Sequence, residues 1–344
     1  VIIIPAVFFA AGGPDMFQAG VEAGHVTAQQ QSFFSSEAFM NQGAPYIAAV
    51  LAYAIGNQTI AQRLFAVRED LIKPTFVTAT LGYGGTVIGV GMLGVMALYL
   101  GVEPLDGDVN NLLPQMVADH LPLALVALAF LMIIGSLSST ADSDLSALSS
   151  IVMTDVYGQS VGRKNADPKT MLLIGRITMI VATAAALYFA TAKFDILDLL
   201  VFVGALWGCL VFPVIASFYW GRITNVAFTV SVLAALAVFL PVRFEWIPLE
   251  GAWAFVVETL AILGVGVVLG IMCFGFFGLR PAVVVGAIAS VVMLFLGYGF
   301  LRDYATLTGS LVAYAVSFLV CWGLSVRSGQ DFDFDRIARV TGDF

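Results

Sequence analysis

Residues 131–157 read LMIIGSLSSTADSDLSALSSIVMTDVY, and the fold of the chain turns on how this stretch is taken. An apolar lead-in passes into a run where Ser and Thr recur at helical spacing, with three aspartates among them. At about 100° per residue, Ser136, Ser139, Thr140, Ser143, Ser146, Ser150 and Thr154 fall within roughly 120° of one another. They form one hydroxyl-lined stripe down a single helix, with Asp142 and Asp144 on its two flanks. If such a helix lies in a membrane, its hydroxyls and carboxylates need a reason, and a bound cation supplies one.

The composition places that helix in a membrane. The chain is 60% hydrophobic and only 11% charged, with a mean hydropathy of +0.96; an ordinary soluble globule carries about 25% charged residues. Its apolar residues come in blocks of about 18 or more, the length that crosses the hydrocarbon of a bilayer as a helix. This is an all-α polytopic membrane protein. Cys209, Cys273 and Cys321 lie in separate apolar blocks without metal-ligand spacing and read as small buried hydrophobes. The net charge of −8 argues against nucleic acid as a partner.

Taken in order, residues 1–11 are apolar but too short to span, with neither an initiator Met nor a signal-peptide pattern. They read as the stub of a truncated helix, so the chain is expected to be the C-terminal portion of a longer protein. A polar segment without Lys or Arg covers 12–43. Nine spans are expected at about 44–66, 74–100, 122–150, 170–191, 196–220, 224–241, 252–277, 281–299 and 304–325, followed by an acidic tail. With the loop after the first full span on the cytoplasmic side, twelve of the fifteen basic residues fall there, including Arg63, Arg163, Lys164, Arg176, Arg336 and Arg339. Only Lys193, Arg243 and Arg302 fall outside. This bias is the one that orients membrane proteins; it puts the C-terminus in the cytoplasm, with the plasma (inner) membrane the expected location.

Two spans are not expected to be plain helices. The apolar run of the first breaks at Gly56-Asn57-Gln58-Thr59, close to mid-span, which suits a helix that unwinds where it lines a cavity. The span at 196–220 holds Gly204, Gly208 and Pro213, which predicts a bend. Gly82, Gly84, Gly85, Gly89, Gly91 and Gly94 in the second span allow close helix packing. No soluble-type catalytic set is present: His25 and His120 are far apart in predicted loops, and there is no nucleophile elbow, phosphate loop or His/Cys metal motif. The chain is not read as an enzyme.

Ser and Thr are common in membrane helices because they bond the carbonyl one turn back. Seven on one face exceed that ordinary use. An alkali cation wants about five or six oxygens, which hydroxyls and carbonyls supply without a large fixed charge. An intramembrane carboxylate costs about 2.5–3.5 kcal/mol on insertion scales. That makes Asp142 either a functional group or a residue in a wet vestibule; Asp144 suits the vestibule better, and Asp155, near Arg163 and Lys164, reads as structural.

The stretch SLSSTADSDLSALSSIVMTDVY resembles the signature helix of the sodium:solute symporter family, with Ser139-Thr140 followed at the family's spacing by Asp155-Val156-Tyr157. NQTIAQR at 57–63 is similar to the motif that precedes a cytoplasmic loop in the sugar-type members. The resemblance implies a leucine-transporter-like inverted-repeat helical bundle, incomplete at the N-terminus. Within one transporter domain, 44–221 is then the second inverted repeat, 224–325 peripheral helices and 326–344 a cytoplasmic tail. It further implies that sodium is held by the Ser139 and Thr140 hydroxyls and the Ser136 carbonyl, with Asp142 and Ser143 where some members build a second sodium site. Asn57 matches a substrate-contacting position, and Trp207 lies in the helix that closes over the substrate. Gln58-Thr59 stands where proline carriers have Pro-His, and with Asn57 it points to a neutral polar solute such as an amino acid, a sugar or urea. The N-terminal helices implied to complete the cation site lie outside this chain. Two other classes fit the sequence less well: a membrane sensor module, disfavoured by the short tail, and a membrane enzyme or redox subunit, disfavoured because Glu258 is the one glutamate inside a predicted span.

Overall fold

The computed structural model describes residues 2–32, 35–161, 167–191, 196–296, 299–329 and 331–335. Among these there is no strand. Hydrocarbon offers no partner to a backbone N–H or C=O, so long apolar runs satisfy their hydrogen bonds internally as helices. The helices are α1 (Ile3–Ala10), α2 (Asp15–Glu22), α3 (Ser36–Ala38), α4 (Ala44–Gly56), α5 (Gln58–Phe65), α6 (Glu69–Leu100) and α7 (Leu112–His120). They continue as α8 (Leu123–Ile151), α9 (Pro168–Ala190), α10 (Ile196–Tyr219), α11 (Asn225–Arg243), α12 (Gly251–Phe277), α13 (Leu279–Leu296) and α14 (Ala305–Arg327). Eight of these helices are long and apolar enough to cross a membrane; the ninth expected span, 44–66, is the discontinuous pair α4 and α5.

The ends of these helices follow from local chemistry. Gly101, at φ 68°, ends α6 in the left-handed region. Its N–H reaches Leu98 O (3.1 Å) and the Val102 N–H reaches Ala97 O (3.0 Å), the paired bonds of a Schellman turn, which glycine enters at least cost. Thr224 Oγ1 caps α11 by accepting from the Ala227 N–H. Asp167 caps α9, its carboxylate accepting from the Thr170 N–H and hydroxyl, with Pro168 next in line. The Thr170 hydroxyl, and after it the Thr170 amide, holds the Asp167 carboxyl below the ordinary carboxylate value. A lowered folded-state value means the cap contributes fully above the unfolded carboxyl's value and fades as pH falls through the folded one. The melting temperature of Asp167→Asn is therefore expected to depend less on pH below about 4 than that of the parent protein, measured by scanning fluorimetry in detergent.

Two compact units emerge. The first comprises Val1–Ser35 and Ala61–Ile196. Its core gathers Val7, Met16, Leu93, Met96, Ala97, Met116, Val117 and Ala129, so α1, α2 and α7 cluster on the C-terminal end of α6 and the start of α8. Gly20 lets α2 approach the backbone of α6, since a Cβ there would lie 2.2 Å from Tyr99 O. His25 Nδ1 pairs with the same carbonyl at 2.9 Å.

The second unit comprises Ser36–Ile60 and Leu197–Phe344. Its core includes Ala52, Cys209, Phe239, Val257, Ala261, Leu311, Val312 and Tyr314, with α14 as its most buried helix. The buried Tyr314 hydroxyl donates to Ala48 O of α4 at 2.7 Å. A Cβ at Gly264 would lie 2.1 Å from Leu311 O, and one at Gly204 2.3 Å from the Ala49 Cβ; glycine at these two places sets the distances of α12 from α14 and of α10 from α4. A cavity of about 550 Å³ is lined by Gly221, Thr224, Asn225, Asp331 and Phe332; no sequence-predicted site residue lines it.

Three expectations need correction. The polar segments around 12–43 and 102–121 hold the short helices α2 and α7, and His120 ends α7 instead of lying in a loop. The serine helix does not stay α-helical to its end: residues Val152–Val161 widen into a π-helix. The glycines of α6 do not mark close packing among the described residues. A Cβ at Gly82, Gly84, Gly85, Gly91 or Gly94 would meet nothing within 4 Å, while Gly89 approaches Ile4; α6 packs instead through Leu93, Met96 and Ala97 near its C-terminus. The span at 196–220, where a bend is expected, is by contrast the single helix α10 with Pro213 inside it, which leaves that expectation standing. Of the residues in the charge count, Arg163, Lys164, Lys193, Arg336 and Arg339 lie outside the described residues, as do 297–298 of the span at 281–299 and most of the tail.

Candidate functional site

The break in the 44–66 span falls at Asn57. Helix α4 stops at Gly56, Asn57 takes extended angles (φ −82°, ψ 116°), and α5 begins at Gln58. A short amide side chain offers the backbone an alternative to the helical ladder, and here it is used. Asn57 Oδ1 accepts from the Thr59 N–H (2.8 Å) and from the Thr59 hydroxyl. The Asn57 N–H still bonds Tyr53 O at 3.0 Å, so this residue closes α4 and caps α5 at once. A break of this kind frees carbonyls at the end of one helix and amides at the start of the next, with opposite dipole ends meeting at mid-span.

Aromatic rings back the break. The Tyr53 and Trp207 rings lie 4.8 Å apart at 56°. A Cβ at Gly56 would lie 3.1 Å from Trp207 Cγ, so glycine is what lets α4 end against the indole. Asn57 is buried, its acceptor oxygen committed to Thr59, which leaves its amide nitrogen as the group able to donate; Gln58 is exposed. Replacing Asn57 with alanine removes the cap, an expected loss of about 1 kcal/mol, read as a lower thermal midpoint. Asn57→Asp keeps the acceptor and is expected to retain most of that stability.

The hydroxyl stripe lies on α8. Ser136, Ser139, Thr140 and Asp142 are exposed and Ser143 is half-buried. Thr140 Oγ1 donates to Ser136 O (3.1 Å), Ser143 Oγ to Ser139 O (2.9 Å) and Thr154 Oγ1 to Ser150 O (2.7 Å). Each hydroxyl thus gives its proton to the helix and turns its lone pairs outward, toward whatever lies on this face. Ser136 O and Thr140 Oγ1 are spaced as two neighbouring ligands of one cation are, given oxygen distances of roughly 2.3–2.6 Å for an ion of calcium's size. Arg63 of α5 donates from Nη2 to Ser143 Oγ at 3.1 Å. Among the described residues, no group of three or more His, Cys, Asp and Glu is placed to hold a metal.

The predicted residues fall into two sets. Asn57, Gln58 and Trp207 gather at the break in the second unit; Ser136, Ser139, Thr140, Asp142 and Ser143 share the face of α8 in the first. Sequence reasoning missed Asn57 as the cap of α5 and Thr59 as the donor to its Oδ1, which the Asn-x-Thr spacing signalled. It also missed the ring of Tyr53 and the Arg63–Ser143 bond, whose partners are 80 residues apart.

A helix interrupted by hydrogen-bonding side chains, beside eight helices among the described residues that are long and apolar enough to cross a membrane, is consistent with a polytopic helical membrane transporter. Residues 1–233 match the family model of the sodium:solute symporter family, and the chain belongs to that family. Membership makes it a sodium-coupled solute transporter and an integral membrane protein. No curated protein and no solved structure matches the chain.

Proposed function

We propose that this protein imports a small, neutral, polar organic solute in symport with sodium, by alternating access across the plasma membrane. The break at Asn57 carries this reading. It brings together backbone dipoles, the amide nitrogen of the buried Asn57 and the exposed amide of Gln58, near Trp207, a set that recognises hydrogen-bonding groups without a fixed opposite charge. An amino acid, a sugar and urea all fit that chemistry. Trp207 supplies an apolar wall beside the polar groups.

Sodium is taken as the second cargo. Its ligands are the Ser139 and Thr140 hydroxyls and the Ser136 carbonyl. Binding turns the Thr140 proton away from Ser136 O, so an internal helix bond is exchanged for cation ligation. Three oxygens from one exposed face are fewer than a sodium ion needs, and we assign the remainder to helices of the same protein that precede this chain. Sodium favours the state in which those helices and α8 lie together; solute then biases closure, because each ligand shifts the equilibrium only by its differential affinity for the two states. An inward sodium gradient across the membrane makes the direction import.

The test uses full-length protein in proteoliposomes with labelled neutral solutes. Accumulation under an inward sodium gradient, lost when choline replaces sodium, is the expected result. Accumulation that follows a proton gradient and ignores sodium overturns it.

A further inference from the structure

Arg63 brings a permanent positive charge to the same face of α8 that carries the hydroxyl stripe. Its Nη2 donates to Ser143 Oγ at 3.1 Å, and Ser143 Oγ passes its own proton to Ser139 O at 2.9 Å. Guanidinium cannot release its charge in a protein, so this contact cannot be switched off by pH. A hydroxyl has one proton and two lone pairs; at Ser143 the proton and one lone pair are committed.

We infer that Arg63 is a built-in cation that occupies the Ser143 position, so that the serine helix carries one sodium at Ser136, Ser139 and Thr140 and no second one at Asp142 and Ser143. This rests on the sodium reading proposed above. A sodium ion ligated by Ser143 Oγ stands about 5 Å from the guanidinium. At effective dielectric constants of about 20–40, repulsion at that distance weakens binding between roughly tenfold and a few hundredfold. The Ser139–Thr140 level lies about one helical turn away, roughly 5 Å further along the axis, where the same charge costs only several-fold. Arg63 is therefore a positioning residue: it fixes which level of the stripe accepts an ion and lowers affinity there modestly. The arginine lies in the last turn of α5, so the helix that starts at the Asn57 break carries the charge that sets the cation number.

Binding of ²²Na⁺ to purified full-length protein, by scintillation proximity, tests this without knowledge of the solute. The wild type is expected to bind one sodium per protein in a single saturable component. Ser143→Ala leaves the dissociation constant within twofold. Arg63→Gln tightens it at least about threefold through loss of the nearby charge, while Arg63→Lys, which keeps the charge, stays within twofold. Two sodium ions per wild-type protein, a tenfold loss in Ser143→Ala, or an unchanged constant in Arg63→Gln overturns the inference. Should Arg63→Gln fail to fold, the ion count and Ser143→Ala decide alone. The double variant Ser139→Ala/Thr140→Ala separates the two levels of argument. If it abolishes binding while Ser143→Ala also weakens it, only the role of Arg63 falls; if it binds sodium normally, the site itself is wrong.

Discussion

Removing both hydroxyls with Ser139→Ala/Thr140→Ala in the full-length transporter is expected to weaken sodium about a hundredfold. A hydrogen bond or ligand contact to a charged group contributes about 1.5–3 kcal/mol, so two lost at the low end come to about 3 kcal/mol, and each 1.4 kcal/mol is tenfold. The effect reads out without a solute. A ligand at a hundred times its dissociation constant stabilises the folded state by about 2.7 kcal/mol, which is visible as a sodium-dependent rise in melting temperature. That rise should vanish in the double variant and survive in Ser146→Ala/Ser150→Ala, placed further down α8. Because Ser139 and Thr140 are exposed, the melting temperature in sodium-free buffer should hardly change, which separates lost ligation from lost folding. Thr140→Ser keeps an oxygen at the same place and should keep most of the affinity. An unaltered sodium response in the double variant refutes the assignment of these ligands.

How much of this was legible in the sequence depends on the range of the interaction. Local signals carried through: apolar run length located the eight helices long enough to span to within a few residues, and Gly56-Asn57-Gln58-Thr59 announced a break because glycine and a short amide side chain each weaken the helical ladder by their own chemistry. The hydroxyl stripe followed from periodicity alone. The short helices α2 and α7 were missed because eight or nine residues with mixed polarity carry little periodic signal, and packing on α6 and α8, not propensity, stabilises them. The glycines of α6 show the converse error. A run of small residues permits close approach but does not cause it; Gly204 and Gly264 approach a partner helix, whereas five of the six in α6 meet nothing within 4 Å. The Arg63–Ser143 contact, 80 residues apart in sequence, is set by tertiary structure and no local pattern encodes it.

The same is true of Glu258, the one buried carboxylate in a spanning helix among the described residues, and it sets up the largest expected effect on stability. Glu258 of α12 is 2% exposed at its side chain and accepts from Arg302 Nη2 at 2.7 Å and from the Gly299 N–H at 2.8 Å. Arg302 is 42% exposed, so the two partners are not equivalent. Arg302→Ala strands a buried carboxylate with one neutral donor, the situation in which breaking a pair costs about 3–5 kcal/mol. Glu258→Ala leaves an arginine that already reaches solvent, and its expected cost is smaller, about 1–2 kcal/mol, chiefly the orphaned Gly299 amide. The double variant Glu258→Ala/Arg302→Ala should therefore be more stable than Arg302→Ala alone, a sign that simple loss of two contacts does not produce. The consequence reaches the site through α14. The Glu258 clamp holds the turn that enters α14, the buried Thr308 hydroxyl bonds Leu301 O inside that turn, and two turns further on Tyr314 holds Ala48 of the broken helix. Loosening the turn is thus expected to increase hydrogen exchange in α14 and in α4 together, and protection in α4 that stays at the wild-type level in Arg302→Ala would show that the clamp and the break are mechanically separate.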